Sequence, residues 1–431
     1  MLISPEKMIE EGFLQSSDIS LPKPLDEEKV DYASVRALKE KIFTAAFRRF
    51  QKSTDREDFN KFVEEQHYWI EDFALFTVIK SVYRGRSWNE WPKALKTRQP
   101  QALKDFADKF APELERVKFI QYLFSRQWHQ LKKYANKKNV SVIGDIPIYV
   151  NYDSVDVWCN PSFFKIDSDG ELKFISGCPP DYFSRTGQRW GNPVYDWANL
   201  KKNGYSWWVD RVAHDLQMFD YLRIDHFRGF AGYWQIPAHE KLAVFGRWVK
   251  GPGADFFKTL TKKFKPLPII AEDLGEITPD VVDLMKKFDF PGMRVLLFAF
   301  SGEMNGNPHV PANYSSHCVA YSGTHDNNTI QGWYYTEAKP HEKANIARAL
   351  QKKFIVPRDL HWTMIEVLMR SRAEAVIIPM PDFLGLREEG RMNTPSTKVN
   401  NWQWRLKSNA LTSRLSQKIA ALVKKTDRSN L

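Results

Sequence analysis

FDYLRIDHFRG, residues 219–229, runs apolar, aromatic and β-branched up to Asp225 and then breaks into His, Arg and Gly. That is the pattern of a buried strand stopped by a turn. Two further runs share it. LPIIAEDLG (267–275) carries Glu272 and CVAYSGTHDNNT (318–329) carries Asp326, each at the end of its apolar stretch. In a parallel α/β barrel every strand ends on one face, and chemistry is built there. Three acids delivered to that face suit cleavage of a sugar bond, which needs a nucleophile, a proton donor and a stabiliser of positive charge.

Working outward, VSVIGDIPIYV (140–150), GMRVLLFAF (292–300) and AVIIPM (375–380) read as further strands alternating with helical patterns. Such alternation marks βα units around a parallel sheet. Six core strands, beginning at Val140, Phe219, Leu267, Gly292, Cys318 and Ala375, are expected where a closed barrel has eight. Residues 1–139 read as a mainly helical subdomain, with apolar residues at helical spacing in VRALKEKIFTAAFRRF (35–50) and in the run over 55–83. Residues 151–203 are rich in Gly, Pro and Asp, and so long a connection is expected to be a functional loop subdomain.

Composition narrows the function classes. A 431-residue chain with 43% hydrophobic and 27% charged residues is globular and large enough for one α/β unit with insertions or for two domains. The formal charge of +11 is spread along helices without a stripe or basic tail, so no nucleic-acid partner is expected. Cys159, Cys178 and Cys318 are odd in number and lack metal-ligand spacing, which points to a reducing compartment. No signal peptide opens the chain and no run reaches membrane-spanning length, so a cytoplasmic protein without a membrane partner is expected.

Within RIDHFRG, alternation puts Arg223 and Asp225 on the same side of the strand, as suits a nucleophile held ionised by a neighbouring cation. An ordinary strand-end salt bridge is the competing reading. In AEDLG (271–275) only one of two adjacent acids can enter a barrel mouth, and a Glu in a dry pocket can donate a proton near neutral pH. Capping of a helix beginning near Thr278 competes for Asp273. GTHDN (323–327) joins His325 to Asp326, and His325 has no partner at a usual metal-ligand spacing. Asp145 ends the first visible strand. The loop GCPPDYFSRTGQRWGNPVYDW (177–197) sets Asp181, Gln188 and Asn192 among flat aromatics, a composition suited to stacking on sugar rings and bonding their hydroxyls. A Pro/Gly loop with its own small core accounts for it equally well.

Together GDIPIYV, DVWCNPSFF, PPDYFSRTGQRWGNP, RIDHFRGFAGYW, GRWVKGPG, IAEDLGEITPDV, PGMRVLLFAF, YSGTHDNNT, RMNTP and NWQWR resemble, in order, the 4-α-glucanotransferases of glycoside hydrolase family seventy-seven, the amylomaltases or disproportionating enzymes. The resemblance covers almost the whole chain. It implies a (β/α)8 TIM-type barrel with helical and loop insertions, residues 140–431 carrying strands three to eight. It implies retaining transfer of α-1,4-glucan segments from a maltooligosaccharide or starch donor to the 4-hydroxyl of an acceptor, with neither cofactor nor metal. By the same resemblance Asp225 is the nucleophile and Glu272 the acid/base, their carboxyls about 5–5.5 Å apart as retention requires. Asp326 is the third carboxylate, gripping the distorted sugar. Arg223 and His325 orient the nucleophile and bind sugar hydroxyls, Asp145 is the first-region acid of the clan, and Asp181, Gln188, Trp190, Phe298 and Asn393 bind substrate. The family also carries an N-terminal segment with two barrel strands and a Ser- and Tyr-bearing loop, and MLISPEKMIEEG resembles the text just after it. A barrel lacking its first two strands is therefore expected, with the strands near Val140 and Ala375 flanking the gap. Ser396 stands where the family tends to have Gly, and Cys159 where it has a small residue. An α-1,4-glucan hydrolase and a catalytically impaired glucan-binding remnant are the alternatives.

Overall fold

A computed structural model describes residues 1–19, 25–180, 184–351 and 355–428. The chain forms two compact units, the first comprising the described residues up to 19 and 39–290, the second those of 25–38 and 291–428.

The first unit contains seven strands: β1 (Ile143–Ile146), β2 (Phe174–Cys178), β3 (Gln188–Pro193), β4 (Tyr221–Ile224), β5 (Gly232–Pro237), β6 (Arg247–Lys250) and β7 (Ile269–Ala271). β1, β4 and β7 run parallel in that order, with Asp145 opposite Arg223 and Ile224 opposite Ala271. Pro147, which has no N–H to offer a ladder, follows the end of β1. A Cβ on Gly144 would lie 2.2 Å from the Phe219 ring, so this strand position requires glycine. The remaining four strands form an antiparallel sheet in the order β3-β2-β5-β6.

The core beneath these strands is strongly aromatic. Trp208 is fully buried, its ring set against Phe230 and Phe256 at 5.6 and 5.4 Å. Trp158 is equally buried, between Phe76 and Trp91, and donates its indole N–H to the Leu95 carbonyl. Most of the aromatic surplus in the sequence is thus packing. The helices before β1 carry Ile70, Ala74 and Ile79 on His67–Val82 and Phe119 and Leu123 on Ala111–Lys137, all fully buried. Phe119 stacks on Phe50 at 4.4 Å.

The second unit adds β8 (Gly292–Val295), β9 (Cys318–Tyr321) and β10 (Ala375–Ile377), again parallel and in that order. Helices Pro340–Ala349, Leu360–Met369 and Ser413–Lys425 follow or flank them.

Six parallel strands interleaved with helices make this a (β/α)8-type barrel fold two strands short of eight, among the described residues. β1 is an end strand of the first unit's parallel set and β10 of the second's. Two readings change in detail. Residues 292–300 are expected as one strand, but the strand ends at Val295 and buried Leu296, Leu297, Ala299 and Phe300 form a 3-10 turn. A short continuous apolar run does not separate the two by periodicity. The antiparallel sheet is not foreseen, because QRWGNP carries Gly, Asn and Pro, residues depleted in strands.

Candidate active site

In the first unit the site grows from the ends of neighbouring parallel strands. Arg223, in β4, sends one guanidinium nitrogen to Asp145 Oδ1 at 2.6 Å and another to Asp225 Oδ1 at 2.9 Å. Its side chain is only 12% exposed, whereas the two carboxylates are about half exposed. Burial opposes its charge, but Asp145 and Asp225 outweigh burial and hold the guanidinium protonated. The backbone ladder continues one residue past β4 and β7: Asp225 N–H donates to Ile146 O and Glu272 N–H to Ile224 O, both at 3.0 Å. Asp225 and Glu272 therefore leave adjacent strands side by side.

Glu272 is buried, and both of its oxygens accept backbone N–H groups, from His226 at 2.7 Å and from Leu274 at 2.9 Å. Burial first, then the charge of Asp225, raises its carboxyl to about 7, against the pull of Arg223 and the two N–H bonds. The helix that follows has Thr278 at its N-cap position, so neither Glu272 nor Asp273 caps it. Two acids on adjacent strands thus have different environments, Asp225 about half exposed and bridged by Arg223, Glu272 dry and raised.

His226 takes left-handed backbone angles (φ 50°, ψ 50°), which aim its N–H at Glu272. Burial, then the nearby Arg228, pushes its imidazole down to about 4, so it is neutral at physiological pH. Trp190 of β3 meets that ring edge-on at 4.8 Å and donates its indole N–H to Gln188 Oε1 at 3.0 Å. The expected Asp145, Gln188, Trp190, Arg223, Asp225 and Glu272 are all found in this unit. Asp181 lies outside the described residues. His226 was inside a quoted motif but not singled out; its position directly after Asp225 is the signal that could have found it.

The second unit gathers another set on the loop after β9. Asp326 Oδ1 accepts from Asn393 Nδ2 at 2.6 Å, and Asp326 Oδ2 lies 3.5 Å from His325 Nε2. Asn393 N–H donates to the His325 carbonyl at 3.1 Å. Arg391 ties the assembly together, donating to the carbonyls of Asp326 and Asn393 and to Glu337 at 2.7 Å. The His325 ring lies 5.2 Å from that of Trp402. A cleft of about 210 Å³ is lined by Thr324, His325, Asn328, Asp382, Met392 and Trp402, among others. Arg391, Trp402 and Asp382 were not singled out; the first two stand in the motifs RMNTP and NWQWR, of which only Asn393 was. Phe298, on the turn after β8, packs its ring on His309 at 5.4 Å. Among the described residues no three of His, Cys, Asp and Glu gather as metal ligands would, and no helix is long and apolar enough to cross a membrane.

Comparison with known proteins extends this geometry. The family model described as 4-alpha-glucanotransferase matches residues 1–412. A 4-alpha-glucanotransferase of Synechocystis is 43% identical over 96% of this chain and 83% of its own length. That of Thermus thermophilus is 42% identical over 99% of this chain and 86% of its own. The amylomaltase from Streptococcus agalactiae, solved in complex with acarbose, superposes with a TM-score of 0.95 at 35% identity, covering all of this chain and 86% of that one. The chain belongs to the 4-alpha-glucanotransferase family.

Proposed function

We propose that this protein transfers α-1,4-glucan segments between maltooligosaccharides or starch chains by a retaining double displacement at Asp225 and Glu272. One observation carries the assignment of roles: Glu272 is buried with a carboxyl raised to about 7, beside an Asp225 bridged to a buried guanidinium. The protonated Glu272 gives its proton to the glycosidic oxygen as Asp225 attacks the anomeric carbon. The C1–O bond breaks, the leaving glucan departs with the proton, and a glycosyl ester remains on Asp225. The ionised Glu272 then takes the proton of an incoming 4-hydroxyl, whose oxygen displaces Asp225. Inversion occurs twice, so the α configuration is retained.

Arg223 pairs with Asp225 and aims it. Asp326, fixed by Asn393 and beside His325, is the third carboxylate, binding sugar hydroxyls most tightly when the ring is flattened toward the oxocarbenium-like transition state. Trp190, Gln188 and Asp145 contact substrate on the first unit and Phe298 on the second; Asp181, which the resemblance adds, lies outside the described residues. Acarbose bound to the Streptococcus agalactiae amylomaltase supports an α-glucan as the substrate class. Proton NMR of the first product formed from maltotriose tests the mechanism. An α anomer at the new linkage is expected; a β product would refute double displacement.

A further inference from the structure

The loop of residues 323–329, which carries His325 and Asp326, has both ends attached to one buried side chain. Ser322, fully buried directly before the loop, donates its hydroxyl to Asp382 Oδ2 at 2.6 Å. Ile330, directly after it, donates its backbone N–H to Asp382 Oδ1 at 2.7 Å. Asp382 is 2% exposed and sits on the short helix Met380–Leu384. A second tie reinforces the first: Thr329 gives its hydroxyl to the Leu386 carbonyl at 2.7 Å and accepts the Gly332 N–H at 2.9 Å. Within the loop, Asn327 Oδ1 accepts from the Thr324 N–H at 2.8 Å, leaving the segment few alternatives.

We infer that Asp382 is a positioning residue for Asp326, a buried two-oxygen staple that fixes both ends of the loop presenting the third carboxylate. The inference rests on the role proposed for Asp326.

The chemistry of the two bonds explains why an acid stands here. One donor is an O–H and the other an N–H, and they reach different oxygens, so the carboxylate accepts on both atoms at once. Asparagine could keep the Ile330 N–H and give its amide to the Ser322 oxygen, whereas leucine, of similar size, can make neither bond. Burying a carboxylate is costly, and the Ser322 hydroxyl and the Ile330 N–H are both neutral, so packing alone gives no reason to prefer the acid to an apolar side chain of similar size. A carboxylate that holds a side-chain hydroxyl at one end of the loop and a backbone N–H at the other does give one. Misplacing a reacting group by about 1 Å can cost on the order of a hundredfold in rate, and slack at the ends of so short a loop would produce that displacement.

The test compares Asp382→Leu, Ser322→Ala and Asp326→Asn in the full chain, by steady-state maltotriose disproportionation and by thermal unfolding. Ser322→Ala removes one bond at one loop end while leaving Asp382 in place, so it reports even if Asp382→Leu folds poorly. Loss of positioning acts on the transition state more than on ground-state binding. Asp382→Leu should therefore lower kcat about a hundredfold with KM changed by less than about threefold, and Ser322→Ala should lower kcat about tenfold. If both variants only lower the unfolding temperature and keep wild-type kcat per folded molecule, Asp382 is merely structural and the inference fails. If Asp326→Asn itself retains wild-type kcat, the reading of Asp326 has failed instead.

Discussion

Glu272→Gln separates the electrostatics of the site from its chemistry. In the folded protein burial, and then the charge of Asp225, lift this carboxyl from 4.5 to about 7. At about 1.4 kcal/mol per unit, the charged form is disfavoured by roughly 3 kcal/mol. Below the unfolded value both states are protonated and the neutral group's contribution to stability is fully present. As pH rises toward 7 the unfolded chain ionises first, so this contribution is lost, completely once pH passes the folded value. Glutamine does not titrate. It leaves one of the two N–H donors, from His226 or Leu274, without an acceptor, a penalty of roughly 1–3 kcal/mol that is the same at every pH. The difference in unfolding free energy between the variant and the wild type should therefore swing by roughly 3 kcal/mol toward the variant between about pH 4 and pH 8. Urea unfolding followed by tryptophan fluorescence at a series of pH values measures it. Parallel curves for the two proteins over that range would refute the assignment of a dry, proton-retaining Glu272.

The same carboxyl should set the alkaline limb of kcat/KM, with activity falling above a pH of about 7; a profile flat between about pH 6 and pH 9 would contradict it. Arg223→Lys replaces a fork on Asp145 and Asp225 by a single ammonium and should cost about 10- to 100-fold in kcat, read by maltotriose disproportionation. Ser396 has φ of 63°, the left-handed region that favours glycine, so Ser396→Gly should raise unfolding stability by roughly 1 kcal/mol. A Cβ on Gly332 would lie 2.1 Å from Asn328 Oδ1, and Gly332→Ala should destabilise by roughly 1–3 kcal/mol in thermal unfolding, displacing Asn328 from Glu337.

The parts of the fold legible in the sequence were those where burial on both faces forces a continuous apolar run. β8 and β9 begin where their patterns predict, at Gly292 and Cys318. β4 and β7 begin two residues later than expected, at Tyr221 and Ile269, Phe219 still closing the helix Ser206–Met218 as its C-cap. The antiparallel sheet was hidden because one of its four strands, β3, is written in turn residues, and because β2 pairs with the distant β5, Phe174 standing opposite Pro237. The pairing of Arg223 with Asp225 followed from strand alternation alone. Its second arm, to Asp145, needed the register of β1 against β4. Ser396 shows the reverse case: a departure from the family's glycine was visible in the sequence, and its backbone angle supplies the physical meaning. Asp382 carried no local signal, since a carboxylate in PMPDFLGL reads as a helix-turn residue until Ser322 and Ile330 are seen to reach it.

The most direct test of glucan transfer follows maltotriose over time, quantifying longer maltooligosaccharides and total reducing ends in the same samples. Each transfer breaks one α-1,4 bond and makes another. Maltopentaose and glucose should therefore appear together while the number of reducing ends stays constant, and Asp225→Asn should abolish both products. Reducing ends that rise in step with maltotriose consumption, with no chain longer than the substrate, would contradict the account.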